Sequence, residues 1–306
     1  INNILRERVE AEGEADVTDS YLGMHASQYI RLVARMLEIN MVCIKRKVKV
    51  VNGIFGVWKK RPKGFKGRRP KVAGETGKGM REYAEEGKVR IIVDMRKGNC
   101  YFHPPEGVEL VAPSGICALN LEEEEVGVFA KADLDNFFYR CQIPDEYQEY
   151  FGLPALRLRD LGEAGRRAAE KFGVGLDEEV HPCLRVLPMG WSHSPLVAQL
   201  AHENILNQHS ELTEGHRLRE TKAPPRRWCH FSYIDDTIVA VWGPRSDLEG
   251  LKRECQRIMD TALAAYAWAG LPVPPDKLKA PSLRQEILGL EVDGDTGWGP
   301  SAPCAD

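Results

Sequence analysis

The segment Phe231–Val241 carries two adjacent acids, Asp235 and Asp236, within a run of aromatic, aliphatic and β-branched residues. Residues of these types favour strands, so the acids interrupt the run and predict a strand, a tight turn and a second strand. Two neighbouring carboxylates inside such a structure repel each other and are costly to bury unless a cation offsets their charge. The segment therefore predicts a β-hairpin whose tip attracts a cation.

A third acid, Asp133, stands where the short apolar strand predicted for Val126–Ala132 ends. If this strand and the hairpin are neighbours in one sheet, Asp133 and Asp235 converge. Oxygen ligands with open positions suit Mg²⁺, which keeps waters and takes substrate phosphates. Two such ions roughly 3.5–4 Å apart can stabilise the attacking and leaving oxygens of an in-line displacement. These residues alone leave open an ordinary turn pair, with Asp133 as a helix cap.

The charge of the whole chain, −3, taken alone argues against a nucleic-acid binder, but the charges are unevenly distributed. A basic block at residues 45–71 contains no acid and predicts salt-dependent binding to a phosphate backbone. Trp58 and Phe65 lie within it and could stack on an unpaired base. A solvated loop, or a tail for an acidic protein, is the alternative. The cations of the block are Lys45, Arg46, Lys47, Lys49, Lys59, Lys60, Arg61, Lys63, Lys66, Arg68, Arg69 and Lys71.

The cysteines are scattered, with no Cys-x-x-Cys pair. Zinc sites need closely spaced ligands, and the best approximations, His181 with Cys183 and Cys229 with His230, are poor ones. We therefore expect reduced thiols and an intracellular location, in the cytoplasm or the nucleus. No secretory signal is visible, and the longest apolar stretch, around Ala262–Val273, is too short to span a bilayer, so no membrane partner is expected.

Helical patterns predict four helices. One covers residues 1–40, and a polar one covers Glu163–Lys171. A third begins at Ser194, whose side chain would cap it. A fourth begins at a capping box opened by Ser246 and ends at Gly270. The buried face of the third helix is predicted to be Val197, Leu200, Ala201 and Ile205.

Strands are predicted between these helices. Residues Met41–Trp58 are rich in β-branched types, with Asn52 and Gly53 as a hairpin turn, and Lys88–Met95 is the returning strand. Glu286–Val292 is a last short strand. Helices and strands mix without strict βαβ alternation, which predicts an α+β fold.

A series of short motifs, each weak alone, follows one another in a fixed order. Two examples are Leu-Pro-Met-Gly-Trp-Ser-His-Ser-Pro at 187–195 and Tyr-Ile-Asp-Asp at 233–236. In order and spacing the motifs resemble those of the reverse transcriptases of retrotransposons and retroviruses, over residues 50–292. The other residues that carry the resemblance are Phe55, Val57, Lys59, Arg90, Asp94, Arg96, Asn99, Asp133, Phe138, Gly270, Leu271, Lys277, Ile287, Leu288 and Gly289.

The resemblance implies the fingers and palm of a right-hand polymerase, with a ferredoxin-like palm whose antiparallel sheet is backed by helices. Residues 1–125 would form an N-terminal helix and fingers, and 126–145 the first metal-binding strand of the palm. Residues 146–181 would be a fingers insertion, 182–292 the palm with the Tyr-Ile-Asp-Asp hairpin and a primer-grip turn, and 293–306 a tail.

The implied activity is template-directed synthesis of DNA, in which dNTPs are added to a primer 3′-hydroxyl on an RNA or DNA template. The expected partners are the template–primer duplex and dNTPs. Because little chain follows Gly289, we expect the thumb and RNase H to be absent. These domains or an integrase would then lie downstream in a longer polyprotein.

The family also implies roles for single residues. Two Mg²⁺ ions, replaceable by Mn²⁺, would bind at Asp133, the Leu134 carbonyl, Asp235 and Asp236. Lys277 would protonate the leaving pyrophosphate, although Lys279 competes for that role. Phe138 would face the sugar and exclude a 2′-hydroxyl. The nucleotide would also meet Lys59, Arg90, Met189 and Gly190. Template and primer would meet Asp94, Arg96, Asn99, Tyr233, Leu288 and Gly289.

Some features leave alternatives open. Asp94 and Arg96 can equally pair with each other. Phe137 stands where a small residue is usual, which would crowd the nucleotide pocket, and Met189 replaces a frequent Gln. With the missing thumb, these departures allow a catalytically inactive or domesticated copy that only binds nucleic acid. A viral RNA-dependent RNA polymerase is the other alternative, and Phe138 argues against it, since those enzymes usually carry Asp there.

Overall fold

In the computed structural model the chain forms two compact units, each built from two separate segments. Unit 1 comprises Ile1–Pro105 and Phe138–Ser194, and unit 2 comprises Glu106–Phe137 and Pro195–Asp306. Part of the basic block, from residue 61 to 71 and including Phe65, lies outside the described residues. The structure describes residues 4–6, 12–15, 22–60, 88–111, 121–219, 227–295 and 300–303.

The first sheet of unit 1 has three strands. Strand β3 (Gly53–Lys60) lies between β1 (Leu22–Gly23), which is parallel to it, and β4 (Lys88–Asp94), which is antiparallel. The pairing of β3 with β4 confirms the returning strand predicted from the sequence.

The second sheet of unit 1 places β7 (Glu179–Leu184) between β2 (Val42–Lys45) and β6 (Leu156–Arg157), all antiparallel. Cys43 and Cys183 are directly opposite each other in this sheet. Both are buried, and both are free thiols.

The hairpin turn predicted at Asn52 and Gly53 is wrong, because β2 and β3 belong to different sheets. The Asn52 side chain is fully buried and donates to the carbonyls of Tyr150 and Gly152 at 3.0 and 3.1 Å. Its oxygen accepts from the N–H of Gly98 at 3.0 Å. The asparagine therefore joins distant segments of unit 1 instead of forming a turn.

Unit 1 also contains α1 (Ala26–Glu38) and α2 (Glu163–Phe172), both in segments predicted to be helical, and a four-residue helix at Arg96–Asn99. Within the stretch 1–40, which was predicted to be helical, Leu22–Gly23 is a strand instead, because it pairs with β3. Helix α2 ends at Gly173, whose φ of 64° is the left-handed conformation typical of this position. The buried positions of α1 have the 3–4 spacing of one helix face and are Tyr29, Val33 and Met36.

The main sheet of unit 2 is antiparallel and has the order β10-β5-β9-β8. Its strands are β5 (Glu125–Asp133), β8 (Trp228–Tyr233), β9 (Asp236–Pro244) and β10 (Leu278–Ser282). Strands β8 and β9 are the two arms of the predicted hairpin, and β5 lies beside β9. The prediction that β5 and the hairpin are neighbours in one sheet is therefore confirmed.

Helix α3 (Ser194–His209) begins where predicted, but its buried face is different. Leu200 is 56% exposed, whereas Gln199 and His202 are buried because they bond to the hairpin. The Ser194 hydroxyl donates to the Pro188 carbonyl at 2.8 Å, away from the helix end it was predicted to cap. The other positions of the predicted face are only half-buried: Val197, Ala201 and Ile205.

Helix α4 (Leu248–Trp268) packs on β5, β9 and β10 through an apolar stripe. The predicted capping box is wrong, because Ser246 lies in a 3₁₀ turn and Asp247 precedes the helix without a side-chain cap. Gly270 follows the helix with a φ of 68°, as predicted. The buried residues of α4 are Leu251, Cys255, Ile258, Met259, Ala262, Ala265 and Tyr266.

The single short strand predicted near the end of the chain is instead a hairpin of β11 (Arg284–Ile287) and β12 (Leu290–Asp293), extended by β13 (Pro300–Pro303). Leu288 and Gly289 form its turn with φ of 51° and 79°. Helices and largely antiparallel sheets agree with the α+β class. No helix in the described ranges is long and apolar enough to cross a membrane.

Candidate active site

Three aspartates lie at one end of the main sheet of unit 2. Asp133, the last residue of β5, stands opposite Asp236, the first residue of β9. Asp235 occupies the turn just before β9, and its carbonyl accepts from the N–H of Leu134 at 2.9 Å. The side chain of Asp236 is 17% exposed and that of Asp133 29% exposed. The pairing of the strands thus gathers acids that are distant in the sequence.

Two lysines contact these acids. The Lys277 ammonium donates to Asp133 at 2.6 Å, and the Lys131 ammonium lies 3.2 Å from Asp236. Lys279 donates instead to a backbone carbonyl, at Asp276. Lys131 was not predicted from the sequence. Its position two residues before Asp133, on the same face of a strand, is the signal that could have revealed it.

Burial and neighbouring charges shift the pKa values of Asp235, Asp236 and Lys277. Burial, and then the charge of Asp133, raise the pKa of Asp235. Burial also raises the pKa of Asp236, although Lys131 opposes this. For Lys277 burial is the largest single influence and opposes the charge, but the hydrogen bond to Asp133 and the charges of Asp133, Asp135 and Asp235 together raise the pKa, so the ammonium stays protonated at neutral pH.

Replacing Asp235 by Asn should stabilise the metal-free protein at neutral pH. The pKa of Asp235 is higher in the folded protein than in the unfolded chain, where it is about 3.9. The free energy of unfolding is therefore highest below pH 3.9 and falls as the pH rises through the folded pKa. The gain should therefore be present at pH 7 and vanish in acid. Thermal unfolding in EDTA at several pH values measures it, with about 2–4 °C expected per kcal/mol of stability gained. An Asp235→Asn protein that melts below wild type at pH 7 contradicts this account.

The donor chemistry of the group suits a hard divalent cation. Within the described ranges, no group of three or more His, Cys, Asp or Glu side chains is arranged to hold a metal ion. However, carboxylate oxygens are the ligands that Mg²⁺ prefers. Burial and the charge of Asp133 raise the pKa of Asp235, so a cation bound beside it would stabilise its ionised form. The residues present therefore fit Mg²⁺.

A second set of predicted residues lies together in unit 1. Arg96 and Asp94 form a two-point ion pair at 2.8 and 2.6 Å, so the pairing alternative is confirmed. The Asn99 amide donates to the Gly190 carbonyl at 3.0 Å, and its oxygen accepts from the N–H of Ser192 at 3.1 Å. These bonds hold the loop before α3 against the turn after β4.

Gly190 is required by its surroundings. Its φ is 126°, and a Cβ built on it would stand 2.1 Å from the carbonyl oxygen of Val93. The N–H of Val93 donates to the carbonyl of Met189 at 3.1 Å, so backbone lies against backbone here. An open cavity of about 530 Å³ adjoins this point and is lined in part by Phe55, Asp94, Arg96, Asn99 and Gly190.

The remaining predicted residues are more dispersed. Lys59 and Arg90 are exposed on the paired strands β3 and β4, and Phe138 is half-buried in unit 1. Tyr233 ends β8 opposite Asp236. Phe137, expected to crowd a nucleotide pocket, is a core residue of unit 2 that is 2% exposed, with its ring 5.4 Å from that of His202.

The family model described as reverse transcriptase (RNA-dependent DNA polymerase) matches residues 81–292. No curated protein sequence matches the chain. Among similar solved structures are two of a foamy viral protease-reverse transcriptase with double-stranded DNA, one of them a form named dRH. Their TM-scores are both 0.54, at 16% identity for the dRH form and 15% for the other.

These structural alignments cover 93% of this chain in both cases. They cover 37% of the dRH chain and 44% of the other, so this chain spans less than half the length of either. At this level of identity the likeness concerns the fold.

Proposed function

Because this chain belongs to the reverse transcriptase (RNA-dependent DNA polymerase) family, we propose that it synthesises DNA on an RNA or DNA template. The reaction adds a dNTP to a primer 3′-hydroxyl and releases pyrophosphate. The predicted family and polymerase fold are confirmed by the family match and by the likeness to a retroviral enzyme. The observation that carries the proposed activity is the gathering of Asp133, Asp235 and Asp236 at one sheet end.

Asp133, Asp235 and the Leu134 carbonyl would hold two Mg²⁺ ions, and Asp236 would support them from the facing strand. Mn²⁺ would substitute for Mg²⁺. Bound there, the ions would stabilise charge on the attacking and leaving oxygens. The carboxylates are suited to this role because burial and mutual repulsion leave them in need of a counter-charge.

Lys277 is the proposed donor of a proton to the leaving pyrophosphate. Its ammonium lies at the acids and stays protonated at neutral pH, as a general acid must. Lys279 is less suited, since its ammonium is bonded to a backbone carbonyl at Asp276.

Contacts with the substrates are proposed from the roles that the family implies and from the exposure of each side chain. Lys59 and Arg90 are exposed cations on neighbouring strands and would meet the triphosphate. Met189 and Gly190 would flank the nucleotide, and Arg96, 63% exposed despite its ion pair, would meet the template backbone. Asp94 and Asn99 would hold Arg96 and Gly190 in place. Tyr233, Leu288 and Gly289 would contact the primer.

The division into fingers (1–125 and 146–181) and palm (126–145 and 182–292) stays a prediction. Likewise, we propose that a thumb, RNase H or integrase domain belongs to a longer polyprotein of a retroelement. The DNA in the foamy viral structures supports a duplex as ligand of this fold.

Primer extension tests the proposed function. A labelled DNA primer on an RNA template, with Mg²⁺ or Mn²⁺ and dNTPs, should be lengthened in a sequence dictated by the template. Duplex binding without extension in either metal would favour the alternative, a catalytically inactive domain that binds nucleic acid. The replacement of the frequent Gln by Met189 is one of the features that support that alternative.

Phe138→Ala should admit ribonucleotides. If the Phe138 ring faces the sugar, removing it opens room for a 2′-hydroxyl and raises the ratio of NTP to dNTP incorporation, by about 10-fold or more for a steric contact of 1–3 kcal/mol. The measurement is kcat/KM for each nucleotide in primer extension, with Phe137→Leu as the control. Unchanged discrimination would assign Phe138 to packing alone.

Template–primer affinity should fall steeply with salt. The basic block would displace counterions from phosphates, with a slope of about −0.9 per contact in a plot of log K against log salt. Lys47→Ala, which removes an exposed cation of the block, should reduce the slope by about 1. Lys252→Ala on α4, which removes a cation paired with Glu249, is the control. Fluorescence anisotropy measures both, and a flat salt response would remove the role of the block.

A further inference from the structure

The backbone of Ile234 is unusual and lies immediately before Asp235. Its φ is 57°, in the left-handed region, where a β-branched residue is a conformational outlier. Such a conformation persists only where the surrounding structure fixes it. The contacts around Ile234 therefore decide where the next residue points.

Gln199 on helix α3 fixes one side of this residue. Its side-chain oxygen accepts from the N–H of Ile234 at 2.7 Å, and its nitrogen donates to the carbonyl of Ser232 at 3.0 Å. The same nitrogen is 2.8 Å from Glu203. Gln199 is 3% exposed, so water does not compete for these bonds.

His202, one helical turn further along α3, fixes the other side. Its Nδ1 lies 2.7 Å from the carbonyl of Ile234, and because a carbonyl only accepts, Nδ1 carries the proton. Burial lowers the pKa of His202 to about 4, so the ring is neutral and Nε2 accepts. Its partners are the hydroxyls of Tyr266 at 2.7 Å and Thr237 at 2.9 Å, which also contact each other.

The two side chains thus hold both backbone polar groups of Ile234 and tie them to α4 and β9. We propose that Gln199 and His202 are positioning residues for Asp235 and Asp236, an inference that rests on the proposed polymerase function. Both side chains are buried, so neither would touch substrate. They act by keeping the turn in its left-handed form, so that the acids keep the spacing that a bound cation needs.

His202→Leu is the principal test, and His230→Leu is its matched control. His230 is equally buried in β8, and its Nε2 lies 2.9 Å from the Thr213 carbonyl, away from the turn. The readouts are kcat and the KM for dNTP in primer extension, Mn²⁺ affinity by electron paramagnetic resonance, and thermal unfolding.

We expect His202→Leu to lower kcat by about 10- to 100-fold, as for a misplaced catalytic group, with the KM for dNTP nearly unchanged. Mn²⁺ affinity should fall as well. His202→Asn keeps an N–H near the position of Nδ1 and should restore much of the kcat and of the Mn²⁺ affinity. Gln199→Met is similar in shape but cannot form the hydrogen bonds, so it should lower kcat and Mn²⁺ affinity. His230→Leu should lose stability only.

Equal kcat and Mn²⁺ affinity in the His202→Leu and His230→Leu proteins would overturn the proposal. If His202→Leu fails to fold, Gln199→Met and His202→Asn decide by the same criteria. If the wild type does not extend primers, the polymerase function fails, and the Mn²⁺ affinities alone decide the positioning role. Absence of Mn²⁺ binding by the wild type would overturn the positioning role as well.

Discussion

Asp235→Asn is expected to reduce primer extension by about 10²- to 10³-fold, the loss typical of removing one main source of electrostatic stabilisation. Asparagine nearly matches aspartate in shape, so the turn and its backbone bonds should persist. The amide carries no charge, however, and its single neutral oxygen is a much weaker ligand for Mg²⁺ than a carboxylate. Single-turnover extension with saturating duplex measures the loss.

Asp260→Asn is the matched control, because it removes the same charge from an exposed position on α4. It should leave extension unchanged. The Asp235→Asn protein should at the same time be more stable than the wild type without metal, as argued above. Lower activity with higher stability identifies an acid kept for function, whereas misfolding would lower both. An active Asp235→Asn protein would exclude the proposed mechanism.

Gly190→Ala should strongly destabilise unit 1. The added Cβ would meet the Val93 carbonyl at 2.1 Å, and the backbone would have to hold an alanine at a φ of 126°. Overpacking costs about 1–3 kcal/mol and a disfavoured backbone conformation about 1–3 kcal/mol, so roughly 2–6 kcal/mol is expected in total. Denaturant unfolding measures the change in the free energy of unfolding.

Gly162→Ala separates the two causes. Gly162 has a positive φ of 59°, but nothing lies within 4 Å of its added Cβ. Its ψ is −128°, a combination that only glycine adopts readily, so this control should show only the backbone cost, about 1–3 kcal/mol. Equal stability of the two variants would show that the close approach to Val93 is not the reason why position 190 needs glycine. Lost extension with unchanged stability would instead assign Gly190 to substrate binding.

The hairpin of β8 and β9 could be predicted from the sequence because its information is local. Apolar and β-branched flanks define two strands, and two acids define the turn between them. The same holds for α2 and for the end of α4 at Gly270, where short-range rules suffice. The family motifs also indicated in which order the site residues follow along the chain, and they identified Asp133 as the acid that joins the hairpin.

Errors arose where a side chain serves a distant segment. Asn52 has the composition of a turn, but it is buried because its amide satisfies backbone groups about 50 and 100 residues away, which local propensity cannot reveal. The face of α3 was misjudged for a similar reason. Hydrophobicity placed Leu200 inside, whereas Gln199 and His202 are inside because the turn at Ile234 needs their bonds.

The arrangement of β5 has a consequence for biosynthesis. Both strands that pair with β5, β9 and β10, lie more than 100 residues further along the chain. At about 5–20 residues per second on the ribosome, β5 therefore waits roughly 5–20 s for its first partner. Throughout that interval the sequence Val-Gly-Val-Phe-Ala exposes apolar side chains and unpaired backbone. Such a strand is a target for chaperones and for aggregation, so the yield of soluble protein should depend on chaperone supply during translation.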